Sequence, residues 1–520
     1  MYSKKKGCSQ PFFFIVTIVT VLFKPAAFLC ITLLTSIKRF STSKSYICNT
    51  FYTMKIEQIY TGCLAQGAYY IVSNGEAAII DPLREIQPYI DRAEKDGVKI
   101  KYIFETHFHA DFVSGHIDLS KETGAPIVYG PTAQPEFDAI IATDGQEFRL
   151  GDITIKALHT PGHTMESTVY LLKDEHGKDH CIFSGDTLFL GDVGRPDLAQ
   201  KAAHMTQEEL AGLLYDSLTN KIMPLADDVI VYPAHGAGSA CGKNMMKETV
   251  DDLGNQKKIN YALNQPNRES FIQAVTDGLS APPAYFPMNV AMNKKGYTSY
   301  NEVMSNGMKA LTVDEFETVA DVADALILDT RSAAEFHNGF IPNAINIGLN
   351  GDFAPWVGAM IADVNQKLLL VTEPGKEQEA VTRLSRVGFD QILGHLAGGF
   401  DTWKKSGKTI DTIVRINAAQ FEGEFVLGKS KVIDVRKCSE FGNGHVPDAE
   451  NLTLSEINSW MSSINPKEHF YLHCQGGYRS MIAASILQAR GYRNFSEIEG
   501  GYGAISKTGI PSMKSPVTSQ

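Results

Sequence analysis

Metal-binding side chains recur at the ends of β-like segments in the first half of this sequence. The segment THFHADFVSGH, residues 106–116, places two imidazoles and a carboxylate close together, and three later β-like runs each end near another such residue. Imidazoles two positions apart at a strand end point to the same side, and strand-end loops are common places for chemistry. We therefore expect one metal site assembled from six candidates: His107, His109, Asp111, His163, Asp186 and His235.

A cysteine near the C-terminus has the surroundings of a reactive thiol. Cys474 follows the apolar run FYL and begins the loop CQGGYR, after which a helical pattern starts. Backbone amides of such a loop, together with the N-terminal end of a helix, lower a thiol pKa and stabilise a bound anion. We expect Gly476 and Gly477 to supply unusual backbone angles beside a bound substrate, and Arg479 to supply a forked cation.

An internal repeat provides the elements that position this cysteine. The segment ALILDTRSAAEF is echoed by SKVIDVRKCSEF, and each copy continues with strands, a loop, a helix and a closing GGF or GGY. Strands that alternate with helices predict a doubly wound parallel sheet in each copy. The first copy has no cysteine, because Val371 or Thr372 stands in its place, and Glu373 and Glu377 would repel an anionic sulfur donor. We expect this copy to be a structural or docking domain.

These patterns divide the chain into four segments. The first 53 residues contain a lysine run and two apolar runs, and they are either a membrane anchor through residues 11–37 or a stretch upstream of the true start at Met54. The other three segments are a metal-binding domain and the two repeat copies, at residues 54–300, 307–408 and 412–515.

The metal-binding motif and the later segments HTPGHT, FSGDT and YPAHG resemble the metallo-β-lactamase superfamily over about residues 54–260. The resemblance implies an αββα fold, and Phe112 stands where that pattern has a histidine for a second metal, which disfavours a binuclear hydrolase. Persulfide dioxygenases look most similar, which implies that His107, His163 and Asp186 bind one Fe(II). Zinc is the alternative, because it accepts the same ligand types. Supporting roles near the metal are implied for three residues: His109, Asp111 and His235.

Two further residues enter the prediction through this resemblance. Arg195 in GDVGRPDL matches an anion-contacting arginine of the persulfide dioxygenases. The segment GAGSACGK, which contains Cys241, resembles that of bacterial fusions of a persulfide dioxygenase with two rhodanese modules. We expect Cys241 to be either a thiol that relays sulfur or a structural thiol.

The loop CQGGYR, with the preceding segments DVR and GHVPDAENL, resembles the rhodanese family over about residues 412–510. The resemblance implies a doubly wound α/β domain in which Cys474 carries a persulfide and passes its sulfane sulfur to a thiophilic acceptor. The whole chain is then an α/β multidomain protein, an αββα domain followed by two rhodanese-like domains.

The predicted function is oxidation of a low-molecular-weight persulfide to sulfite with O₂, followed by sulfur transfer from Cys474 to sulfite, which gives thiosulfate. The leading alternative is a zinc-dependent thioester hydrolase that resembles glyoxalase II and carries sulfurtransferase modules. A third hypothesis is that the tandem repeat is a sulfur-carrier or docking module.

Composition limits the partners and the compartment. The formal net charge is −11 and no basic stripe is present, so nucleic acid is not an expected partner. Eight cysteines are scattered without a CxxC pair, which favours free thiols in a reducing compartment, and we expect a cytoplasmic protein. The expected partners are persulfides, O₂, sulfite and thiosulfate, and the expected assembly is a homo-oligomer.

Overall fold

The computed structural model describes residues 54–279 and 281–514, and within them four β-sheets organise the chain. The predicted anchor at residues 11–37 lies outside the described residues. Within the described residues, every helix is too short or too polar to cross a membrane.

Two mixed six-stranded sheets form the first part of the molecule, in the orders β1-β2-β3-β4-β5-β6 and β12-β11-β10-β9-β8-β7. The strands of the first sheet are β1 Lys55–Thr61, β2 Gln66–Ser73, β3 Glu76–Ile80, β4 Lys99–Phe104, β5 Ile127–Tyr129 and β6 Ile140–Ile141. Those of the second sheet are β7 Glu147–Leu150, β8 Ile153–His159, β9 Thr168–Lys173, β10 Asp179–Gly185, β11 Ile230–Pro233 and β12 Asp251–Asp252. The helices of this part are α1 Gln87–Asp96, α2 His116–Thr123, α3 Gln200–Ala203, α4 Gln207–Ser217, α5 Leu253–Ile259, α6 Arg268–Thr276, α7 Phe286–Lys295 and α8 Tyr300–Gly307.

The two sheets pack face to face with helices outside them. Phe104 of the first sheet and Phe183 of the second belong to one buried apolar cluster between the sheets. Tyr89 of α1 packs in a cluster on the outer face of the first sheet, and Leu214 of α4 packs in another on the outer face of the second. This arrangement is the predicted αββα sandwich, and the prediction is confirmed.

Each repeat copy forms a parallel five-stranded sheet. The strands of the first copy are β13 Ala310–Leu311, β14 Leu326–Asp329, β15 Ile345–Asn346, β16 Leu368–Val371 and β17 Ile392–Leu396, and its helices are α9 Val313–Ala323, α10 Ala333–Phe336, α11 Phe353–Met360, α12 Glu377–Arg386 and α13 Gly399–Lys405. The strands of the second copy are β18 Arg415–Ile416, β19 Val432–Asp434, β20 Glu450–Asn451, β21 Phe470–His473 and β22 Phe495–Ile498, and its helices are α14 Ala418–Glu424, α15 Cys438–Asn443, α16 Ile457–Trp460, α17 Tyr478–Ala489 and α18 Gly501–Ile505.

The two copies share one topology. The sheet orders β13-β17-β16-β14-β15 and β18-β22-β21-β19-β20 follow the same path through five strands. Successive residues of β21 enter clusters on opposite faces of the sheet: Leu472 packs with Met481 of α17, whereas Tyr471 packs with Phe421 of α14. Both faces are therefore covered by helices, as a doubly wound sheet requires.

Candidate active site

Three predicted metal ligands converge at one end of the αββα sandwich. His107 lies shortly after β4, His163 shortly after β8 and Asp186 directly after β10, and all three are buried. His163 Nε2 is 3.4 Å and His107 Nε2 is 3.8 Å from Asp186 Oδ2. Among the described residues this carboxylate oxygen has no hydrogen-bond partner. A buried, unpartnered oxygen facing two imidazole nitrogens is the arrangement that a cation would complete.

Hydrogen bonds fix which nitrogen of each imidazole carries the proton. His163 Nδ1 lies 2.9 Å from the carbonyl oxygen of Arg195, which only accepts, so Nδ1 is the protonated nitrogen. Thr106 Oγ1 donates its single hydrogen to Asp81 Oδ2 at 2.9 Å and must therefore accept from His107 Nδ1 at 2.9 Å. Both Nε2 atoms then present lone pairs towards Asp186.

The electrostatics suit the same role. Burial, reinforced by His109, lowers the pKa of His107 well below its ordinary value, so this imidazole is neutral and able to bind a cation. Burial alone would raise the pKa of Asp186, but the imidazoles of His235 and His107 outweigh it and leave the pKa well below its ordinary value. Two histidines and one carboxylate fit a single divalent cation, and both Fe(II) and zinc accept this set.

The second histidine of the motif is directed elsewhere. His109 Nε2 lies 3.1 Å from Asp81 Oδ1 and 3.5 Å from Glu105 Oε2, and these three residues form a separate buried group. The ring of Phe112 packs on the His109 ring with centroids 4.3 Å apart, and Phe112 is completely buried.

His235 joins two carboxylates of the site. Its Nδ1 donates to Asp186 Oδ1 at 2.9 Å, and its Nε2 lies 2.8 Å from Asp111 Oδ2. Burial lowers the pKa of His235, but Asp111 and Asp186 outweigh it and raise the pKa well above its ordinary value. Asp111, His235 and Cys241 also form a group whose possible ligand atoms lie within 4.8 Å of one another.

Arg195 and Cys241 both lie beside this centre. The Arg195 guanidinium donates to Asp197 at 2.7 Å and 3.0 Å, while its backbone N–H donates to the carbonyl of Cys241 and its own carbonyl accepts from His163. The Cys241 thiol is buried, and burial, followed by the charges of Asp111 and Asp186, raises its pKa well above the ordinary value. Arg195 therefore orients a candidate ligand through its backbone, a contact that its residue type does not predict.

The carboxylate of Asp81 belongs to the site, although the spacing of the motif did not predict it. Asp81 accepts from the backbone N–H of Thr106 at 2.8 Å and from its hydroxyl at 2.9 Å, and it also faces His109. It holds the left-handed conformation, with φ of 50°. Asp81 ends the β-like run AAIIDP as Asp186 ends its own run, and this shared position was the available signal.

The Cys474 loop lies between β21 and α17, as predicted, and the thiol is buried. The backbone N–H of Gly477 donates to Cys474 Sγ at 3.1 Å, and Gly477 has φ of 101°. Gly476 does not adopt the left-handed conformation, so the prediction of unusual angles was wrong for this residue. It is exposed, and no heavy atom of the described residues lies within 4 Å of the position that a Cβ atom would take there. Arg479 forms a two-pronged ion pair with Glu440, at 2.6 Å and 2.8 Å.

Strand register identifies the residue that replaces the cysteine in the first copy. Asp329 pairs with Val371 as Asp434 pairs with His473, so Thr372 takes the position of Cys474. The Thr372 hydroxyl is buried and lacks a hydrogen-bond partner among the described residues.

Comparisons with known proteins agree with this architecture. Residues 61–235 match the family described as the metallo-beta-lactamase superfamily, and residues 312–406 and 417–508 match the rhodanese-like domain. A solved structure described as a metallo-beta-lactamase from Staphylococcus aureus is 31% identical with a TM-score of 0.60, and the match covers 66% of this chain and 99% of that chain.

Curated relatives point to two activities. A hydroxyacylglutathione hydrolase of Tolumonas auensis is 34% identical over 170 residues, 32% of this chain and 60% of that protein. The mitochondrial persulfide dioxygenase of Homo sapiens is 32% identical over 162 residues, 31% of this chain and 59% of the human protein. The chain spans between 59% and 65% of the length of the first curated relatives that it matches.

Proposed function

The chain belongs to the metallo-β-lactamase superfamily and carries two rhodanese-like domains, and from this premise we propose that it is a persulfide dioxygenase with sulfurtransferase activity. It oxidises the sulfane sulfur of a low-molecular-weight persulfide to sulfite with O₂, using one Fe(II) per chain. Cys474 then passes a second sulfane sulfur to sulfite, and thiosulfate is formed.

The observation that carries the proposal is that the histidines of the motif face different partners. His107, His163 and Asp186 direct three donors to one point, whereas His109 faces Asp81. The ring of Phe112 takes the position at which the family pattern has another ligand. This favours one metal over the two of a binuclear hydrolase. Two histidines and a carboxylate leave open positions on Fe(II), where bound iron would supply oxygenase chemistry.

The surrounding side chains keep this ligand set in place. Thr106 and the Arg195 carbonyl hold the Nδ1 protons of the two histidines, so each ring presents its Nε2. His235 donates from Nδ1 to Asp186 Oδ1, which leaves the other carboxylate oxygen directed at the histidines. Phe112 and Phe189 are completely buried beside His235 and exclude water from this side.

Sulfur transfer uses the second repeat copy. The Cys474 thiolate attacks the outer sulfur of a persulfide, a new S–S bond forms, and the donor leaves as a thiolate. Sulfite then attacks the outer sulfur of the Cys474 persulfide, and the Cys474 thiolate leaves as thiosulfate is released. The Gly477 N–H, which donates to Sγ at 3.1 Å, stabilises the thiolate in both steps.

The test is O₂ consumption by the anaerobically iron-loaded protein with a panel of thiol persulfides, combined with metal analysis. One iron per chain, with O₂ uptake and sulfite formation, would support the proposal. Two zinc ions per chain and cleavage of a thioester such as hydroxyacylglutathione would instead establish the hydrolase alternative.

A cysteine variant tests the coupling of the two activities. We expect Cys474→Ser to retain O₂ uptake, to accumulate sulfite and to form no thiosulfate, because the sulfur carrier is lost. Cys438→Ser is the matched control, since Cys438 is an exposed free thiol in the same domain. Thiosulfate formation that persists in Cys474→Ser would contradict the proposal and favour a carrier or docking role for the repeat.

A further inference from the structure

We propose that Ser480, Glu497 and Arg415 form a relay that accepts the proton of the Cys474 thiol. The proposal rests on the proposed function in one respect, because it assumes that Cys474 is the residue that takes up sulfur. It assigns a role to three buried residues that the chemistry described above does not use.

The three residues make a continuous chain of contacts that ends at the sulfur. Ser480 Oγ lies 3.5 Å from Cys474 Sγ and donates to Glu497 Oε1 at 2.6 Å. Ser480 and Glu497 are completely buried. A hydroxyl has one hydrogen, so while Ser480 donates to the carboxylate its oxygen is free to accept the thiol hydrogen.

Arg415 holds the far end of the chain. Its Nε donates to Glu497 Oε2 at 2.7 Å, and its side chain is only 8% exposed. Burial raises the pKa of Glu497, and Arg415 opposes that rise without cancelling it. The carboxylate is thus a stronger base than an exposed glutamate, and the Arg415 guanidinium holds it in place.

Two protons move together along these contacts. The thiol proton of Cys474 passes to Ser480 Oγ as the Ser480 hydroxyl proton passes to Glu497 Oε1. The products are a Cys474 thiolate and a neutral Glu497 carboxyl, and Ser480 is unchanged. The thiolate is the form that attacks a sulfane sulfur.

The backbone of the Cys474 loop passes close to the relay at Gly477. A Cβ atom on Gly477 would lie 2.9 Å from Arg415 Nη2 and 3.7 Å from Glu497 Oε1. A side chain here would displace the end of the Arg415 guanidinium, and the φ of 101° itself favours glycine. Gly477, whose N–H donates to Cys474 Sγ, therefore also lies close to Arg415 and Glu497.

The repeat itself provides an internal comparison. Arg415 pairs with Glu497 across β18 and β22, and the equivalent pair across β13 and β17 is Ala310 with His395. Counting from Thr372, which takes the place of Cys474, the position of Ser480 is occupied by Gln378. The copy that lost the cysteine has thus also lost all three members of the relay.

Other charged groups face the loop and must be considered in a pH profile. Glu499 lies 4.0 Å from Arg415, His337 also interacts with Arg415, and the remaining groups belong to ion pairs or hydrogen bonds of their own. They are the Arg479–Glu440 pair, the Arg436–Asp434 pair and His473, whose Nδ1 lies 3.1 Å from the Cys474 carbonyl oxygen. Each of them is unchanged in the variants used below.

The test measures the reactivity of the Cys474 thiol and not its sulfur transfer. The full-length protein is alkylated with iodoacetamide between pH 5 and pH 10, and mass spectrometry follows the Cys474 peptide. We expect Ser480→Ala and Glu497→Gln each to slow alkylation of Cys474 about tenfold near pH 7, whereas loss of the Glu497 charge alone would favour the thiolate and speed the reaction. Ser485→Ala is the matched control, because Ser485 is buried on the same helix and donates to the Ile482 carbonyl.

The outcomes separate this inference from the proposed function. A Cys474 profile in either relay variant that matches the wild type would overturn the relay, and Glu497→Gln still decides if Ser480→Ala fails to fold. A wild-type protein that forms no thiosulfate would overturn sulfur transfer at Cys474, while the alkylation profiles would still show whether the relay operates.

Discussion

Phe112 contributes an apolar wall at a position where a polar side chain would face the candidate metal ligands. It packs on His109 at 4.3 Å between ring centroids and lies 6.5 Å from the ring of His235. We expect Phe112→His to raise the metal content above that of the wild type, because a new imidazole would join Asp111 and His235. Metal analysis after loading with excess zinc checks this, together with thioester hydrolysis.

The matched control is Phe108→His in the same loop. Phe108 packs on Tyr129 with ring centroids 4.6 Å apart, away from the metal-binding residues. We expect its metal content to stay at the wild-type value. Equal metal contents in Phe112→His and in the wild type would show that Phe112 is not what excludes a second metal.

His116 makes the stability of the molecule sensitive to acid. Burial, followed by the charges of His109 and Arg84, lowers its pKa from 6.5 to about 3. Between these two values the unfolded chain binds a proton that the folded protein does not, so stability is lost as the pH falls from 6.5 towards 3. We expect His116→Phe, which keeps the aromatic contact with Phe137, to lose less stability between pH 7 and pH 5. Urea unfolding at both pH values measures the difference, and equal losses in the two proteins would contradict it.

The sequence placed the candidate metal ligands in one region but could not divide their roles by local geometry. His107 and His109 lie together as their spacing predicted, with ring centroids 4.2 Å apart. Their partners differ because Asp81, which comes from another strand, binds Thr106 and also faces His109. Such a long-range contact leaves no mark on the spacing within the motif.

At the scale of elements, the ends of β4 and β10 must approach closely for the site to form. Gly185 ends β10 with φ of 53°, and a Cβ atom there would lie 2.7 Å from Thr106 Cβ. We expect Gly185→Ala to displace the Thr106 hydroxyl that orients His107 and to weaken metal binding by about 10- to 100-fold. Metal titration in the presence of a competing chelator measures the change.

Gly177→Ala provides the control for backbone strain alone. Gly177 lies in the turn before β10 with φ of 79°, and no heavy atom of the described residues comes within 4 Å of the position that a Cβ atom would take there. Gly177→Ala would cost roughly 1–2 kcal/mol because alanine disfavours the left-handed conformation, but it would cause no steric clash. If both variants lose metal affinity equally, the contact with Thr106 is not the cause.

The repeat was the element-scale feature most visible in the sequence. Two copies of one strand–helix pattern predicted two similar sheets, and the shared strand order confirms the similarity. The sequence did not predict that α8 packs against α12 and β17 of the first copy, with Gly307 close to Val381 and Ile392. That packing depends on the shape of two separate elements, which a local pattern does not encode.

At the scale of the whole molecule, the first repeat copy connects the other two parts. The backbone N–H of Val113, next to Phe112, donates to the carbonyl of Arg386 on α12. This copy also accepts a hydrogen bond at the Gly348 carbonyl from the hydroxyl of Tyr478, the first residue of α17. The first repeat copy therefore contacts both the segment that contains Phe112 and the helix that follows Cys474.

A buried ion pair joins the αββα domain to the first repeat copy. Arg84 donates to Asp390 at 2.9 Å, to the Ser385 carbonyl at 3.2 Å and to the Thr298 carbonyl, and its guanidinium lies over the Tyr297 ring. The Arg84 side chain is completely buried and that of Asp390 is 7% exposed. Burial raises the pKa of Asp390, so this carboxyl can become neutral if its partner is removed, whereas an arginine cannot.

The two partners of this pair should therefore differ in how costly they are to replace. We expect Asp390→Asn to destabilise the packing of the first repeat copy on the αββα domain by about 3–5 kcal/mol, because it leaves a buried charge uncompensated. Arg84→Met should cost less, since Asp390 can take up a proton. Urea denaturation and limited proteolysis measure both effects. Lys178→Met is the control, because the two side chains of its ion pair with Asp228 are 65% and 60% exposed and solvent screens their charges. Equal midpoints for Asp390→Asn and Lys178→Met would show that the Arg84 pair does not hold the domains together.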